Sequence, residues 1–67
     1  MTLEELRTSR SYSQIEVARE LQVTAAAVSK WESGLAKPQA VNIRGLAKLY
    51  NVEIKVIQDA IIETSKK

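Results

Sequence analysis

Apolar side chains recur along the chain at the three- and four-residue spacings of amphipathic helices. The clearest stripe lies within a helix that we predict from about Ala40 to Tyr50. It consists of Ile43, Leu46, Ala47 and Tyr50. Because residues at these spacings share one face of a helix, the stripe marks a side that faces a core. No stretch shows the two-residue alternation of a strand, so the pattern predicts an all-α chain.

Helix-capping residues divide the chain into five predicted helices. Thr2 and Ser13 are each followed three residues later by glutamate, which is the spacing of a capping box. Gly34 and Asn51 suit the left-handed conformation that commonly ends a helix. The predicted helices span 1–9, 14–21, 24–33, 40–50 and 53–64, with Thr24 as an N-cap. Residues 1–64 are therefore predicted to form a single domain, followed by a frayed tail at 65–67.

The second and third predicted helices are joined by a short turn at Gln22 and Val23, and two helices joined this tightly form a helix-turn-helix unit. At about 100° per residue, the third helix divides into two sides. Ala27, Val28 and Trp31 form an apolar side, which we predict to face the core. The opposite side consists of Ala25, Ala26, Ser29, Lys30 and Ser33. This side has no evident structural task, so it is the candidate binding surface.

The last predicted helix is apolar around more of its circumference than a small bundle can cover. Ile54, Ile57 and Ile61 form its predicted inward stripe. Beyond that stripe, the apolar surface is extended by Val56, Ala60 and Ile62. Because an apolar patch larger than the core requires is often an interface, we expect this second set to carry homodimerisation. The alternative is that the last helix packs on the first.

Composition excludes several classes of function. The 67 residues include no cysteine and no histidine, which excludes disulfides, zinc sites with those ligands, and catalysis by either residue. The sequence contains no glycine-rich phosphate loop, and no carboxylate pair marks a catalytic pocket. We therefore expect no enzyme activity, no metal, no cofactor and no small-molecule ligand. No apolar run is long enough to span a membrane and no signal peptide opens the chain, so we expect a cytoplasmic location.

The chain is only mildly basic, with a net charge of +2 and a pI near 9.2. The distribution of charge is more informative, because one segment carries four cations and a single acid, Glu32. The cations are Lys30, Lys37, Arg44 and Lys48. A basic surface of this kind suits a polyanion such as nucleic acid. A solvated, lysine-rich surface without a partner is the alternative.

A longer motif covers the helix-turn-helix unit and continues beyond it. It reads SQxxVAxxLxVTxxxVSKWExG from Ser13 to Gly34, followed by Pro38 and by LAKLYNV from Leu46 to Val52. In these residues the chain resembles the Cro/C1-type (Xre-like) helix-turn-helix family of phage and bacterial transcriptional regulators. The resemblance implies a compact five-helix, lambda-repressor-like DNA-binding domain whose third helix lies in the major groove of double-stranded operator DNA. It also implies two-fold dimers on nearly palindromic operators, with repression as the expected effect.

The resemblance implies roles for particular residues. Gln14 matches a position that holds a phosphate beside the N–H groups of a helix N-terminus, although a merely solvated side chain is the alternative. The base-reading positions are Ala25, Ala26, Ser29 and Lys30. Further DNA-contacting positions are Thr24, Ser33, Lys37 and Gln39. Arg7 and Glu32 match a buried, structural ion pair that links the first helix to the third.

The chain departs from the family pattern in four places. Gln22 replaces the usual turn glycine, Gln39 replaces the usual serine cap, and Gly45 weakens the fourth helix. The run 25–27 is all alanine and supplies no side-chain hydrogen bond where base-reading residues usually lie. Two hypotheses therefore stand: a sequence-specific DNA-binding regulator that relies on phosphate contacts, or a module that acts mainly through a protein partner, as a modulator or antirepressor of another repressor.

Overall fold

The computed structural model describes residues 1–66, and five α-helices occupy that range. They are α1 (Leu3–Ser9), α2 (Gln14–Leu21), α3 (Ala25–Ser33), α4 (Ala40–Tyr50) and α5 (Ile54–Ser65). The predicted all-α fold is confirmed, and the differences lie at helix ends. Met1 and Thr2 precede α1, and α5 extends to Ser65, so the predicted tail begins inside a helix. Lys67, the last residue of that tail, lies outside the described residues.

Reciprocal capping boxes begin the first two helices. Thr2 Oγ1 accepts a hydrogen bond from the Glu5 N–H at 3.2 Å, and the Thr2 N–H donates to Glu5 Oε1 at 2.8 Å. Ser13 and Glu16 form the same pair of bonds at 3.1 and 2.8 Å. Because these bonds satisfy backbone N–H groups that have no partner inside the helix, the two boxes fix where α1 and α2 begin.

Residues in the left-handed conformation end α2, α3 and α4. The backbone φ angle is 57° at Gln22, 82° at Gly34 and 56° at Asn51. Glycine has no steric penalty there, whereas glutamine carries a cost of roughly 1–2 kcal/mol. Gln22 thus adopts the conformation of the turn glycine that it replaces, and the tight turn that it makes places α3 directly after α2.

A single apolar core is shared by all five described helices. Its buried members are Leu3, Leu6, Val17, Ala18, Val28, Trp31, Leu46, Ala47, Tyr50, Ile57 and Ala60. In a chain without disulfides, burial of these side chains is the dominant favourable contribution to folding. The predicted inward position of Ile54 is wrong, because this residue lies in the first turn of α5, where 43% of its surface is exposed.

Gly45 allows the side chain of Leu21 on α2 to lie against the backbone of α4. A Cβ atom at position 45 would lie 2.5 Å from Leu21 Cδ2, which is well inside van der Waals contact. The low helix propensity of this glycine is therefore the cost of a close approach between α4 and α2. Since α2 in turn packs against α3, the glycine belongs to the support of the helix-turn-helix unit.

The last helix, α5, packs against α1, α3 and α4 and closes the bundle. The Leu3 N–H donates to the buried Thr64 Oγ1 at 3.0 Å, and the Met1 ammonium nitrogen lies 2.6 Å from Glu63 Oε2. The alternative that the last helix packs on the first is therefore correct for this part of its surface. No helix within residues 1–66 has the length and apolar character needed to cross a membrane.

The predicted dimer surface on α5 is only partly available. Ala60 is 1% exposed within the single chain, so its predicted place in an interface is wrong. The residue faces the core because it lies three positions after Ile57, close to the same side of the helix. Val56 and Ile62 are exposed and remain candidates for an interface.

Candidate nucleic-acid interface

The packing of α3 leaves one side in the core and the other in solvent. Val28 and Trp31 are buried and anchor the inner side. The exposed outer side presents Ala26, Ser29, Lys30 and Ser33. The prediction that Ala25 lies on this outer side is wrong, because Ala25 is half-buried and packs against the core. Three residues turn a helix through about 300°, so Ala25 lies only about 60° from Val28.

The first turn of α3 is capped by Thr24, which is itself exposed. Thr24 Oγ1 accepts a hydrogen bond from the Ala27 N–H at 3.1 Å. The cap uses the hydroxyl oxygen as an acceptor, so the hydroxyl proton is left to donate elsewhere. Together with the partial positive charge of a helix N-terminus, this proton suits an anionic oxygen such as that of a phosphate.

A bidentate ion pair ties α3 to α1. Arg7 Nε lies 2.7 Å from Glu32 Oε2, and Arg7 Nη2 lies 3.1 Å from Glu32 Oε1. Arg7 Nη1 also donates to the Tyr12 carbonyl oxygen at 2.9 Å, in the connector before α2. The hydrogen bond to Glu32 raises the pKa of Arg7 above its ordinary value. The pair implied by the resemblance is present, and its largely buried side chains restrain α3 relative to α1.

The first residue of α2, Gln14, reaches the same carboxylate. Gln14 Nε2 donates to Glu32 Oε1 at 3.0 Å, so Glu32 binds both Arg7 and Gln14. This bond engages one of the two amide protons of Gln14, and the second is left for another acceptor. No local sequence pattern predicts this contact, because the two residues lie 18 positions apart in the chain.

A shallow groove of about 200 Å³ brings several of the predicted DNA-contacting residues together. Its lining consists of Glu4, Gln14, Ser29, Glu32 and Ser33. Glu4 was not predicted to lie here, and Arg7 Nη2 lies 4.0 Å from its carboxylate. The guanidinium of Arg7 therefore lies beside both acids of the groove and balances one of their two negative charges. Ser33 Oγ donates to the Lys30 carbonyl oxygen at 3.2 Å, so Ser33 has to exchange that bond to donate to a ligand.

The basic side chains predicted to form a surface are all exposed. They are Lys30 on α3, Lys37 in the following loop, and Arg44 and Lys48 on α4. Within residues 1–66 none of the four forms an ion pair. Their charges are therefore available to an external anion.

Gln39 begins α4 without capping it. Its backbone has the extended conformation of an N-cap, yet its side chain makes no cap hydrogen bond. The side-chain cap that a serine would supply at this position is therefore absent. The exposed amide of Gln39 and the ammonium group of Lys37 lie in the segment that follows α3, where both are available to a ligand.

Comparisons with known proteins agree with this geometry. The profile of the helix-turn-helix family matches residues 3–57, from the start of α1 into α5. The chain is similar to the HTH-type transcriptional activator BcrR of Enterococcus faecalis, with 36% identity over 52 residues. That match covers 78% of this chain and 26% of the relative, so the chain spans about a quarter of the relative's length. No solved structure matches the chain.

Proposed function

This chain belongs to the helix-turn-helix family, and we propose that it binds operator DNA as a transcription regulator, with α3 in the major groove. The family comprises DNA-binding transcription regulators rather than enzymes. The observation that carries the proposal is the two-sided packing of α3. Val28 and Trp31 bury its inner side in the core, while its outer side presents Lys30 with no ion-pair partner in residues 1–66. A cation on a firmly anchored, exposed helix suits the strongly anionic groove of a duplex.

Phosphate contacts supply most of the affinity in this proposal, and α2 lies across the DNA backbone. The second amide proton of Gln14 meets a phosphate at the N-terminus of α2, where the helix dipole also favours an anion. Thr24, Lys37 and Gln39 make further backbone contacts. Ser33 joins them once it exchanges its bond to the Lys30 carbonyl oxygen. Because these contacts release counterions, the affinity falls steeply with salt.

Few side chains are left to read base edges directly. Lys30 donates to guanine O6 or N7, and Ser29 donates or accepts at a neighbouring base. A good base contact contributes about 1–3 kcal/mol of discrimination, so this pair supports a modest preference rather than a highly selective one.

The exposed apolar residues of α5 are proposed to pair two copies of the chain. In the proposed dimer, Val56 and Ile62 meet their counterparts across a two-fold axis, which sets two α3 helices on successive turns of the duplex.

Sedimentation tests the dimer. We expect the chain to sediment as a dimer at high micromolar concentration without DNA, and Ile62→Asp to sediment as a monomer. Ile15→Asp, a matched change at an exposed residue of α2, leaves the dimer intact. A monomeric wild type at that concentration contradicts the proposal.

We propose repression in the cytoplasm as the regulatory effect. Repression requires only that a bound protein excludes the polymerase, whereas activation also requires a surface that recruits it. The similar protein from Enterococcus faecalis is named an activator, which makes activation the competing outcome. Transcription in vitro from a promoter that overlaps the bound site distinguishes the two effects.

A protein partner is the competing function, and one observation favours it. Ile15 on α2 is 57% exposed, beside a recognition helix whose first turn has few hydrogen-bonding groups. An apolar side chain in this position suits another protein better than a phosphate backbone.

Selection from random duplexes at low and high salt tests the DNA-binding function. We expect one enriched sequence at both salt concentrations. Loss of the Lys30 contact should raise the Kd of Lys30→Ala by about tenfold on that sequence, since a base contact contributes about 1–3 kcal/mol. Lys66→Ala removes the same charge just after the last residue of α5 and is the control, with a Kd near that of the wild type at high salt. If no sequence is enriched, the DNA-binding function is wrong, and a pull-down for a protein partner follows. If a sequence is enriched but Lys30→Ala binds it as the wild type does, Lys30 makes no base contact.

A further inference from the structure

We propose that Ala26 recognises the C5-methyl group of one pyrimidine in each half-site and does not distinguish thymine from 5-methylcytosine. This inference rests on the proposed DNA-binding function. It identifies a methyl group as the feature that the first turn of α3 recognises. The outward side chain of this turn has no hydrogen-bonding group with which to read a base.

The first turn of α3 offers a methyl group to a ligand. Ala25 and Ala27 are half-buried and pack against the core, whereas Ala26 is exposed. Thr24 precedes the helix and uses its hydroxyl oxygen to cap the Ala27 N–H. The outward side chain of this turn is therefore a single carbon atom, with neither a hydrogen-bond donor nor an acceptor.

Spacing along α3 fixes where that methyl group would lie relative to the proposed base contact. Ala26 and Lys30 are four residues apart and share the outer side of the helix. Residues at this spacing have Cβ atoms about 5–6 Å apart. Because base pairs rise by about 3.4 Å, Ala26 faces a base one or two steps from the base that Lys30 contacts.

The major groove presents one kind of group that an alanine can recognise. Each base pair shows hydrogen-bond donors and acceptors there, and thymine adds a C5-methyl group that offers only apolar contact. A side chain as short as that of Ala26 lets the helix backbone approach closely enough for the two methyl groups to touch. 5-Methylcytosine carries the same methyl group on the same carbon atom. Because Ala26 has no polar atom, it cannot distinguish the O4 of thymine from the N4 amino group of methylcytosine.

The contribution of this contact is modest but measurable. Burial of one CH₂-sized group contributes ~0.8 kcal/mol, which is equivalent to about a fourfold change in affinity. Deoxyuridine differs from thymidine only by the absence of the C5-methyl group. Replacement of the contacted thymine by uracil should therefore weaken binding by about fourfold in each half-site.

The test uses the duplex obtained by random selection, with each thymine replaced singly by deoxyuridine and Kd measured by fluorescence anisotropy at fixed salt. We expect one sensitive thymine in each half-site, one or two steps from the base whose recognition is lost in Lys30→Ala. At that position, a 5-methylcytosine–guanine pair should bind nearly as well as the thymine–adenine pair. The unmethylated cytosine–guanine pair should bind as weakly as the uracil duplex.

Two variants assign the effect to Ala26. Ala26→Gly removes the methyl group, so its affinity for the thymine and uracil duplexes should be equal. Ala26→Gln keeps the helix propensity high, introduces an amide and should also lose the sensitivity to the methyl group. Circular dichroism verifies that both variants are folded, and Ala26→Gln decides the question if glycine unfolds the helix.

The failures of the inference and of the DNA-binding function are distinguishable. If no duplex is enriched in the selection, the DNA-binding function and this inference are both wrong. An enriched duplex that contains no uracil-sensitive thymine overturns the inference alone. Sensitivity that persists unchanged in a folded Ala26 variant also overturns it, because another side chain then recognises the methyl group.

Discussion

The guanidinium of Arg7 connects α1 both to α3 and to the connector before α2. It binds the Glu32 carboxylate on α3 through two nitrogen atoms and the Tyr12 carbonyl oxygen through the third. Glu32 in turn binds Gln14 at the start of α2. The position of the proposed phosphate contact therefore depends on the ion pair between Arg7 and Glu32.

Arg7→Met should strongly destabilise the fold. The change leaves the carboxylate of Glu32 buried without a cation, which typically costs about 3–5 kcal/mol. That cost approaches the whole stability of a small domain, so we expect much of the variant to be unfolded at room temperature. Urea denaturation followed by circular dichroism measures the change. The double variant Arg7→Met/Glu32→Met should recover most of the loss. Equal stability of the single and double variants would show that the unpaired Glu32 carboxylate carries no cost, and a single variant as stable as the wild type would show that the pair does not matter.

Tyr50 should make the stability of the domain depend on alkaline pH. Burial of its side chain, assisted by the charge of Glu32, raises the pKa of Tyr50 to about 12. In the unfolded chain tyrosine titrates near pH 10, so the folded state holds this proton more tightly. The resulting stabilisation is complete below about pH 10 and is lost as the pH rises toward about 12. The free energy of unfolding of the wild type should therefore fall relative to that of Tyr50→Phe over this range. Parallel curves for the two proteins would contradict the assignment.

At the scale of the helices, the interaction between Gly45 and Leu21 predicts a coupled pair of substitutions. Alanine at position 45 should gain up to about 1 kcal/mol of helix propensity, but its Cβ would meet Leu21 Cδ2. Gly45→Ala should therefore stabilise the domain more in a Leu21→Ala background than in the wild type. A double-mutant cycle of unfolding free energies measures the difference. The same gain in both backgrounds would show that Leu21 moves aside at no cost.

The elements that sequence predicts best here are those encoded by neighbouring residues. Three helix starts are encoded locally, because the capping side chain bonds a backbone N–H only three residues later, as at Thr2, Ser13 and Thr24. Gly34 and Asn51 mark helix ends in the same local way, so the helices were predictable. The predicted buried and exposed sides of a helix were less reliable near its first turn. Ile54 was predicted to face the core and lies in solvent, whereas Ala25 was predicted to be exposed and is half-buried. Contacts between distant residues left no local pattern, and the Arg7–Glu32 pair was implied only by the family resemblance. The bond from Gln14 to Glu32, the burial of Ala60 and the approach of Leu21 to Gly45 depend on how the helices pack.

In the whole molecule, the residues that form the core are different from those on the proposed binding surface. All five described helices contribute to the apolar core, and the ion pair of Arg7 with Glu32 ties α3 to α1. The outer side of α3, the start of α2 and the segment before α4 are left to bind a ligand. In the proposed function these three parts meet one duplex, and the far side of α5 meets a second copy of the chain.

The most direct test of the proposed binding mode is amide NMR of the nitrogen-labelled protein during addition of the selected duplex. Our account predicts that the largest shift changes follow the proposed interface. These changes should occur at Gln14, at residues 24–30 and at residues 37–39, with little change on the outer side of α5 around Lys55. Shift changes confined to α5 or to the surface around Ile15, with α3 unaffected by a saturating duplex, would contradict it.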